Sequence, residues 1–324
     1  MIGGMNKRKQ TKGPVAGKPG NIRGEAYHIP VLLEQSMEGL KIREEGTYVD
    51  CTFGGGGHSR EILKRLGTGG RLYVFDQDED ARENLPDDPR IQFIPHNFRH
   101  LQRFLRLYKV AQVDGILADL GVSSHQFDEP ARGFSTRLEG EMDMRMDKRQ
   151  TTTAAEIIRT YSEQRLHKIF EQFGEVTNAR TLARRIVEVR QGMPLNTIAA
   201  FKNATRDQVK GNPNRYLAQV FQALRIEVNQ ELESLREMLQ QAPALVKPGG
   251  RVVIITFHSL EDRIVKNFFR KARFEEDQDR DPFSRQSSEQ IFQVITKKPI
   301  VPSGKELSQN PRSRSARLRV AEKI

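Results

Sequence analysis

An α/β domain built on a parallel sheet and interrupted by an all-helical insertion is the fold class predicted, on three observations. Short apolar runs of strand type alternate with helical segments, the order that a parallel sheet covered on both faces requires. The first two runs each end on an acid, and the first leads into a glycine cluster, Gly54-Gly55-Gly56-Gly57. About 130 residues between the fourth and fifth runs carry almost no strand signal, although a crossover between parallel strands needs only about a dozen.

The elements follow in order. Order begins near Tyr27-His28-Ile29-Pro30-Val31-Leu32-Leu33, with a helical pattern through Leu40. Residues 46–50 are β-prone and end on Asp50; after the glycines comes an amphipathic stretch from Ser59 to Leu66. Residues 71–76, 91–94, 113–119 and 250–256 are the second to fifth strands, the second ending on Asp76 and the fourth on Asp119. Within the intervening stretch, residues 153–173, 179–190 and 216–239 show helical spacing. The last is the clearest, because Leu217, Val220, Phe221, Leu224, Val228, Leu232, Leu235 and Leu239 recur at three and four, and it reads as one helix returning to the sheet. Pro194 and Asn212-Pro213 punctuate the region. Residues 272–290 are charged and polar and read as a mobile loop, with a late strand within 291–295. The expected division is a disordered basic arm over 1–24, a discontinuous sheet domain over 25–135 and 222–324, and a helical insertion over 136–221.

Composition narrows the class. The chain has 324 residues, 36% of them hydrophobic and 29% charged, with mean hydropathy −0.63. Its densest apolar run, residues 252–257, is far shorter than the ~20 residues of a membrane span. A single cysteine, Cys51, excludes an intrachain disulfide framework and a multi-cysteine zinc site, so a reducing, cytoplasmic setting without a structural metal is expected. The basic N-terminus lacks the apolar stretch of a secretory signal. Net charge is +11. Lys7, Arg8, Lys9, Lys12, Lys18 and Arg23 stand without an acid at one end, and Arg312, Arg314, Arg317, Arg319 and Lys323 face only Glu322 at the other. Two basic tails of this kind attract polyanions, nucleic acid first among them.

A strand, a glycine-rich turn and a helix together make a ligand-binding device. The spacing fits phosphate sites poorly. Gly54 and Gly56 match a dinucleotide fingerprint but its third glycine falls on Ser59, and Gly57-His58-Ser59 lacks the lysine of a P-loop. S-adenosylmethionine, which has no phosphate, suits the turn better. Asp76 would accept both ribose hydroxyls, and Asp50 would orient either the glycine turn or the cofactor's amino group. Three other stretches carry polar chemistry. Asp119-Leu120-Gly121-Val122-Ser123-Ser124-His125-Gln126 follows a strand. Arg132-Gly133-Phe134-Ser135 and Asp143-Met144-Arg145-Met146-Asp147 read as core methionines and salt-bridged loop or as substrate contacts. In Phe257-His258-Ser259-Leu260-Glu261-Asp262-Arg263, Ser259 and Asp262 have the spacing of a helix cap rather than a hydrolase triad.

Taken together, these blocks resemble one family. His28-x-Pro30-Val31-Leu32-Leu33, the run from Tyr48 through Ser59, Asp119 through Ser124, Arg132 through Ser135, Asp143 through Asp147, Phe221 through Leu232, Phe257 through Arg263, and Asn310-Pro311-Arg312-Ser313-Arg314-Ser315 are similar, in order, to the signature blocks of the RsmH (MraW) family. These are bacterial methyltransferases that modify the N4 of a cytosine in the decoding region of 16S ribosomal RNA in the small subunit. The resemblance implies a Rossmann-like S-adenosylmethionine-dependent methyltransferase fold with a helical substrate-recognition insertion, and cofactor contacts at Gly56, Gly57, His58, Asp76, Phe98, Asp119 and Gln126. The sequence departs from the family pattern at Thr136, at Met142 and over residues 215–220, beside or within the insertion.

Asp119 is the expected acceptor for the cytosine amine, with Ser123 or Ser124 as alternatives for orienting the base. Arg132 and Phe134 are the expected platform for an unstacked base, and Arg312 and Arg314 the expected phosphate contacts. The rival reading is an RNA-binding or assembly factor with a silent pocket, which sulfonium-dependent labelling of RNA distinguishes.

Overall fold

In the computed structural model, Met1, residues 30–272, Phe274 and residues 290–324 are described. The basic arm over 1–24, apart from Met1, and nearly all of the stretch read as a mobile loop lie outside those residues. The chain lays down α1 (Leu33–Leu40), β1 (Thr47–Asp50), α2 (Gly57–Arg65), β2 (Arg71–Phe75), β3 (Ile91–Ile94), α3 (Leu101–Leu107) and β4 (Val113–Asp119). There follow α4 (Ser124–Asp128), α5 (Ala154–Thr160), α6 (Glu163–Gln172), α7 (Ala179–Val189), α8 (Ile198–Ala204) and α9 (Pro213–Asn229). Then α10 (Glu231–Leu245) leads back to β5 (Val246–Thr256), and α11 (Ser259–Lys271), β6 (Phe292–Val294), α12 (Gly304–Gln309) and β7 (Arg317–Lys323) complete the fold.

The seven strands lie in the order β3-β2-β1-β4-β5-β7-β6. β1 to β5 run parallel, and β7 is antiparallel to both of its neighbours. Chain order reverses between β1 and β4, so the crevice at their carboxyl ends is the place where an open α/β sheet binds its ligand.

The strands are continuous apolar runs because both faces are covered. Alternate residues serve opposite cores. Val49, Ile116, Val252 and Ile254 pack with Leu105, Met238 and Val265, while Tyr48, Leu117, Val253 and Ile255 pack with Met37, Leu40 and Ile62. A third core is built from the helices of the insertion and draws on residues from Phe134 to Val228.

Four details differ from the sequence reading. The run 216–239 is two helices, since Gln230 takes a left-handed conformation (φ 49°) that ends α9 and starts α10. Periodicity passes straight through this break, but Val228 belongs to the insertion core and Leu235 to the sheet core. The chain must turn between them. Similarly, the stretch 153–173 is interrupted before Ser162, which caps α6 by accepting from Arg165 N–H.

At the C-terminus there is no tail from residue 317 onward: β7 lies inside the sheet, with Leu318, Val320 and Ala321 buried. Arg319, only 6% exposed, donates to both oxygens of Asp262 at 2.6 and 3.0 Å. The fourth difference follows from the same pair. Asp262 is not a capping partner of Ser259; His258 caps α11 instead, in a reciprocal arrangement with Glu261.

This ion pair ties β7 to α11 across 57 residues of sequence. Among the described residues, Arg319→Ala leaves Asp262 with the more distant Arg317 at 3.4 Å, and should cost about 3 kcal/mol. Urea denaturation followed by circular dichroism measures it; an unchanged midpoint would show that the pair is dispensable.

Candidate active site

The site starts from Asp50, the last residue of β1. Its carboxylate is 1% exposed. One oxygen accepts from Thr52 N–H at 3.0 Å, and the other accepts from the Ser59 hydroxyl at 2.7 Å. Asp50 therefore braces the glycine turn from within rather than facing a ligand, which decides between its two possible roles. Gly54 and Gly56 take positive φ (49° and 74°) that a side chain would strain. Gly57 starts α2, where a Cβ would come within 2.2 Å of the Pro30 ring. Arg60 holds the Gly55 carbonyl at 2.6 Å and Asn84 holds that of Gly54 at 3.0 Å.

This turn forms one wall of a cavity of about 1260 Å³ over the carboxyl ends of β1, β2 and β4. Gly54, Gly55 and Gly57 line it, whereas Gly56 packs behind the turn against Phe53. Asp76, just past β2, accepts from Gly54 N–H at 2.7 Å and from Asp78 N–H at 2.9 Å. Burial pushes its carboxyl up to about 7, because two amide donors offset only part of the lost hydration and Asp78 and Asp50 repel it. Phe98 and Asn97 line the same side.

Asp119 ends β4 and reaches the cavity. Its own N–H donates to the Thr52 hydroxyl at 2.7 Å, which locks the β4 tip to the β1 tip. Its Oδ1 is buried with no hydrogen-bond partner among the described residues. Burial, then repulsion from Asp50 and Glu261, holds its carboxyl well above the usual range. His58 meets the Val31 carbonyl through Nε2 at 3.0 Å. A carbonyl only accepts, so Nε2 carries the proton and Nδ1 turns a lone pair toward Asp119 Oδ2, 3.7 Å away. Burial favours this neutral ring by lowering its pKa.

Gln126, Ser123 and Ser124 all line the cavity. Ser123 caps α4, accepting from Gln126 N–H, and Gln126 donates to Asp78 Oδ2 at 2.7 Å.

Two expected substrate residues stand elsewhere. Arg132 is buried; it pairs with Asp78 at 2.8 Å and donates to the carbonyls of Arg145 and Met146, so no face of its guanidinium is open to a base. Phe134 is a core residue of the insertion and does not line this cavity. Arg312 does line it, paired with Asp128 and lying 5.0 Å over the Phe127 ring. Arg314 is exposed on the same segment.

Sequence reasoning missed the opposite wall as a site: Arg225, Asn229, Glu231 and Glu261. All four lie inside blocks singled out above, but helical spacing gave them no distinguishing mark. Glu231, His258 and Glu261 bring ligand atoms within 4.8 Å of one another. Arg225 is the cation on that group, holding both oxygens of Glu231 at 2.8 and 2.9 Å.

The donor set discriminates between cofactors. Asp76, Asp78, Asp119, Glu231 and Glu261 all line the cavity. Among the cations there, Arg225 is charge-matched by Glu231, Lys64 by Glu61 and Arg312 by Asp128, as is Arg132 behind them by Asp78. Phosphates would meet repulsion, whereas a sulfonium and an ammonium would relieve it. Each Asp76 oxygen accepts one amide hydrogen bond, which leaves lone pairs able to accept from hydroxyl donors. Sheet order, turn and acids together define an S-adenosylmethionine-dependent methyltransferase.

Comparison with known proteins then specifies which kind. Residues 25–324 match the model of the MraW methylase family, and the chain belongs to that family. It is 54% identical over 298 residues to "Ribosomal RNA small subunit methyltransferase H" of Bacteroides thetaiotaomicron, covering 92% of this chain and 97% of the relative. The protein of the same name from Cytophaga hutchinsonii is 51% identical over 300 residues, covering 92% and 99%. Among solved structures, an rRNA methylase from Streptococcus thermophilus superposes with TM-score 0.40 at 10% identity, covering 91% of this chain and 98% of that one. No helix among the described residues is long and apolar enough to cross a membrane.

Cofactor binding carries a pH signature. Hydroxyl donors favour the ionised Asp76 carboxylate, which below about pH 7 must first lose a proton. The dissociation constant for S-adenosylmethionine should therefore rise about tenfold per unit as pH falls below 7, and Asp76→Asn should bind weakly with that slope removed. Calorimetric titration from pH 5.5 to 8 tests this; a flat wild-type profile would remove Asp76 from the contact.

Proposed function

We propose that this chain methylates the exocyclic N4 of a cytosine in the decoding region of 16S ribosomal RNA. The names of its relatives support a small-subunit ribosomal RNA substrate. The observation that carries the chemistry is Asp119, a carboxylate at the β4 tip that lines the cavity and whose buried Oδ1 has no hydrogen-bond partner among the described residues.

When bound, S-adenosylmethionine supplies an already activated methyl group, so no metal is needed and the protein's task is positioning. The amine's lone pair is delocalised into the cytosine ring. A carboxylate that accepts a hydrogen bond from N4 favours a pyramidal nitrogen and is placed to take the proton that the substituted nitrogen sheds. Thr52 holds the β4 tip in place by accepting from the Asp119 N–H. Ser123 uses one lone pair of its hydroxyl for capping, which leaves its hydroxyl proton and Ser124 to orient the base. Arg312 and Arg314 contact RNA phosphates at the rim, Arg312 by exchanging Asp128 for a phosphate. The helical insertion, residues 136–221, presents the RNA.

Mass mapping of small-subunit RNA, with and without the protein, should reveal one N4-methylated cytosine. Asp119→Ala should cut transfer by about 10²–10⁴-fold. Because the Asp119 carboxyl is held high, the wild-type rate at saturating cofactor should climb with pH above the ordinary carboxylate range, and Asp119→Asn should lose that limb. Turnover near wild type in both variants would assign the proton acceptor elsewhere.

A further inference from the structure

Beside the cofactor cavity lies a smaller one of about 210 Å³, and the two share Val122, Phe127 and Arg225. We propose that this second cavity receives the ring of the target pyrimidine, with its amino edge turned toward Asp119, and that Arg225 reads the base. The proposal rests on the cytosine-methylating function above.

Position comes first. Val122 stands three residues after Asp119, beyond Gly121, whose φ of 99° turns the chain sharply. The partition between the cavities is thus the segment that leaves the reacting carboxylate. A base lodged behind it has a short route to the methyl donor.

The walls suit a flat, unstacked ring. Phe127, Phe134, Phe221 and Met144 supply apolar faces. Phe134 and Phe221 are 6% and 4% exposed and belong to the insertion core. Phe201 braces Phe221 edge to face at 6.1 Å. These walls are preformed, so holding a base there costs little ordering. Phe134, which does not reach the cofactor cavity, thereby regains contact with substrate. The volume equals roughly seven waters' share of liquid, in keeping with a single-ring base.

Arg225 supplies the selectivity. Glu231 holds its Nε and Nη2 in a bidentate fork, and Nη1 makes no hydrogen bond among the described residues. This remaining donor suits the N3 and O2 acceptors of cytosine. Uracil keeps the O2 acceptor but carries a hydrogen on N3 that opposes the second N–H of Nη1, leaving that one donor unpaired. Glu231 acts as a positioning residue, because it fixes the plane of the fork without facing the base.

Ala218 is exposed on α9 at the cavity rim, so Ala218→Trp fills the space without deleting a contact. Cofactor affinity, read by calorimetry, should stay within about twofold, while methylation of small-subunit RNA should fall at least about 100-fold. Arg225→Met is the independent arm. Its competition binding of short RNAs, with cytosine or uracil at the target position, should lose about tenfold of the wild-type preference. Transfer by Ala218→Trp within twofold of wild type, or an unchanged preference in Arg225→Met with cofactor binding intact, would overturn the base pocket. If Ala218→Trp also loses cofactor binding, the Arg225→Met preference decides alone. A wild-type protein that methylates no cytosine would instead overturn the function on which the pocket rests.

Discussion

A carboxylate buried at the tip of β1 sets the geometry on which the catalytic crevice depends. Asp50 satisfies itself on the Thr52 amide and the Ser59 hydroxyl, and so clamps both ends of the glycine turn. Thr52 in turn receives the Asp119 amide, and Ser59 fixes the first turn of α2. Burial works against the charge on Asp50, and these donors counter it. Three acids at adjacent strand tips thus divide the work by orientation. Asp50 faces inward, Asp76 shares itself between backbone and cavity, and Asp119 lines the cavity.

This arrangement is electrostatically costly without a cation. Asp76 and Asp119 both have their carboxyls pushed up, chiefly by burial and then by one another's acidic neighbours. A positively charged donor relieves the repulsion, and its neutral product after transfer does not. The same acids that favour binding before the reaction therefore favour release after it.

The insertion is joined to the crevice by polar struts. Asn229 accepts from Met146 N–H at 2.7 Å and donates to the Met144 carbonyl at 2.8 Å. Arg132 reaches the carbonyls of Arg145 and Met146 and pairs with Asp78, which Gln126 also holds. In the same block, Arg145 pairs with Asp143 at 2.7 Å and Arg149 with Asp147 at 2.8 Å. The alternation of arginine and aspartate is a salt-bridged loop, and Met142 and Met144 are core filler. This block is the frame that sets the distance between the insertion helices and the cofactor cavity.

The central strands, the glycine turn and the positions of Asp50, Asp76 and Asp119 were legible in the chain, because apolar runs and turn chemistry are local properties. Other features depend on partners remote in sequence. β7 was hidden because Arg317 and Arg319 alternate with apolar residues and read as loose charge until Asp262, on α11, neutralises them. The break at Gln230 was hidden because the helical period runs through it, and two separate cores impose the turn. Arg132 and Arg225 look alike as residues. One is sealed among carbonyls and Asp78, while the other has, among the described residues, a donor without a partner at the junction of two cavities. Local pattern decides where strands and turns form; whether a charged side chain supports the frame or meets a ligand is decided by burial and by the opposite charge that folding brings beside it.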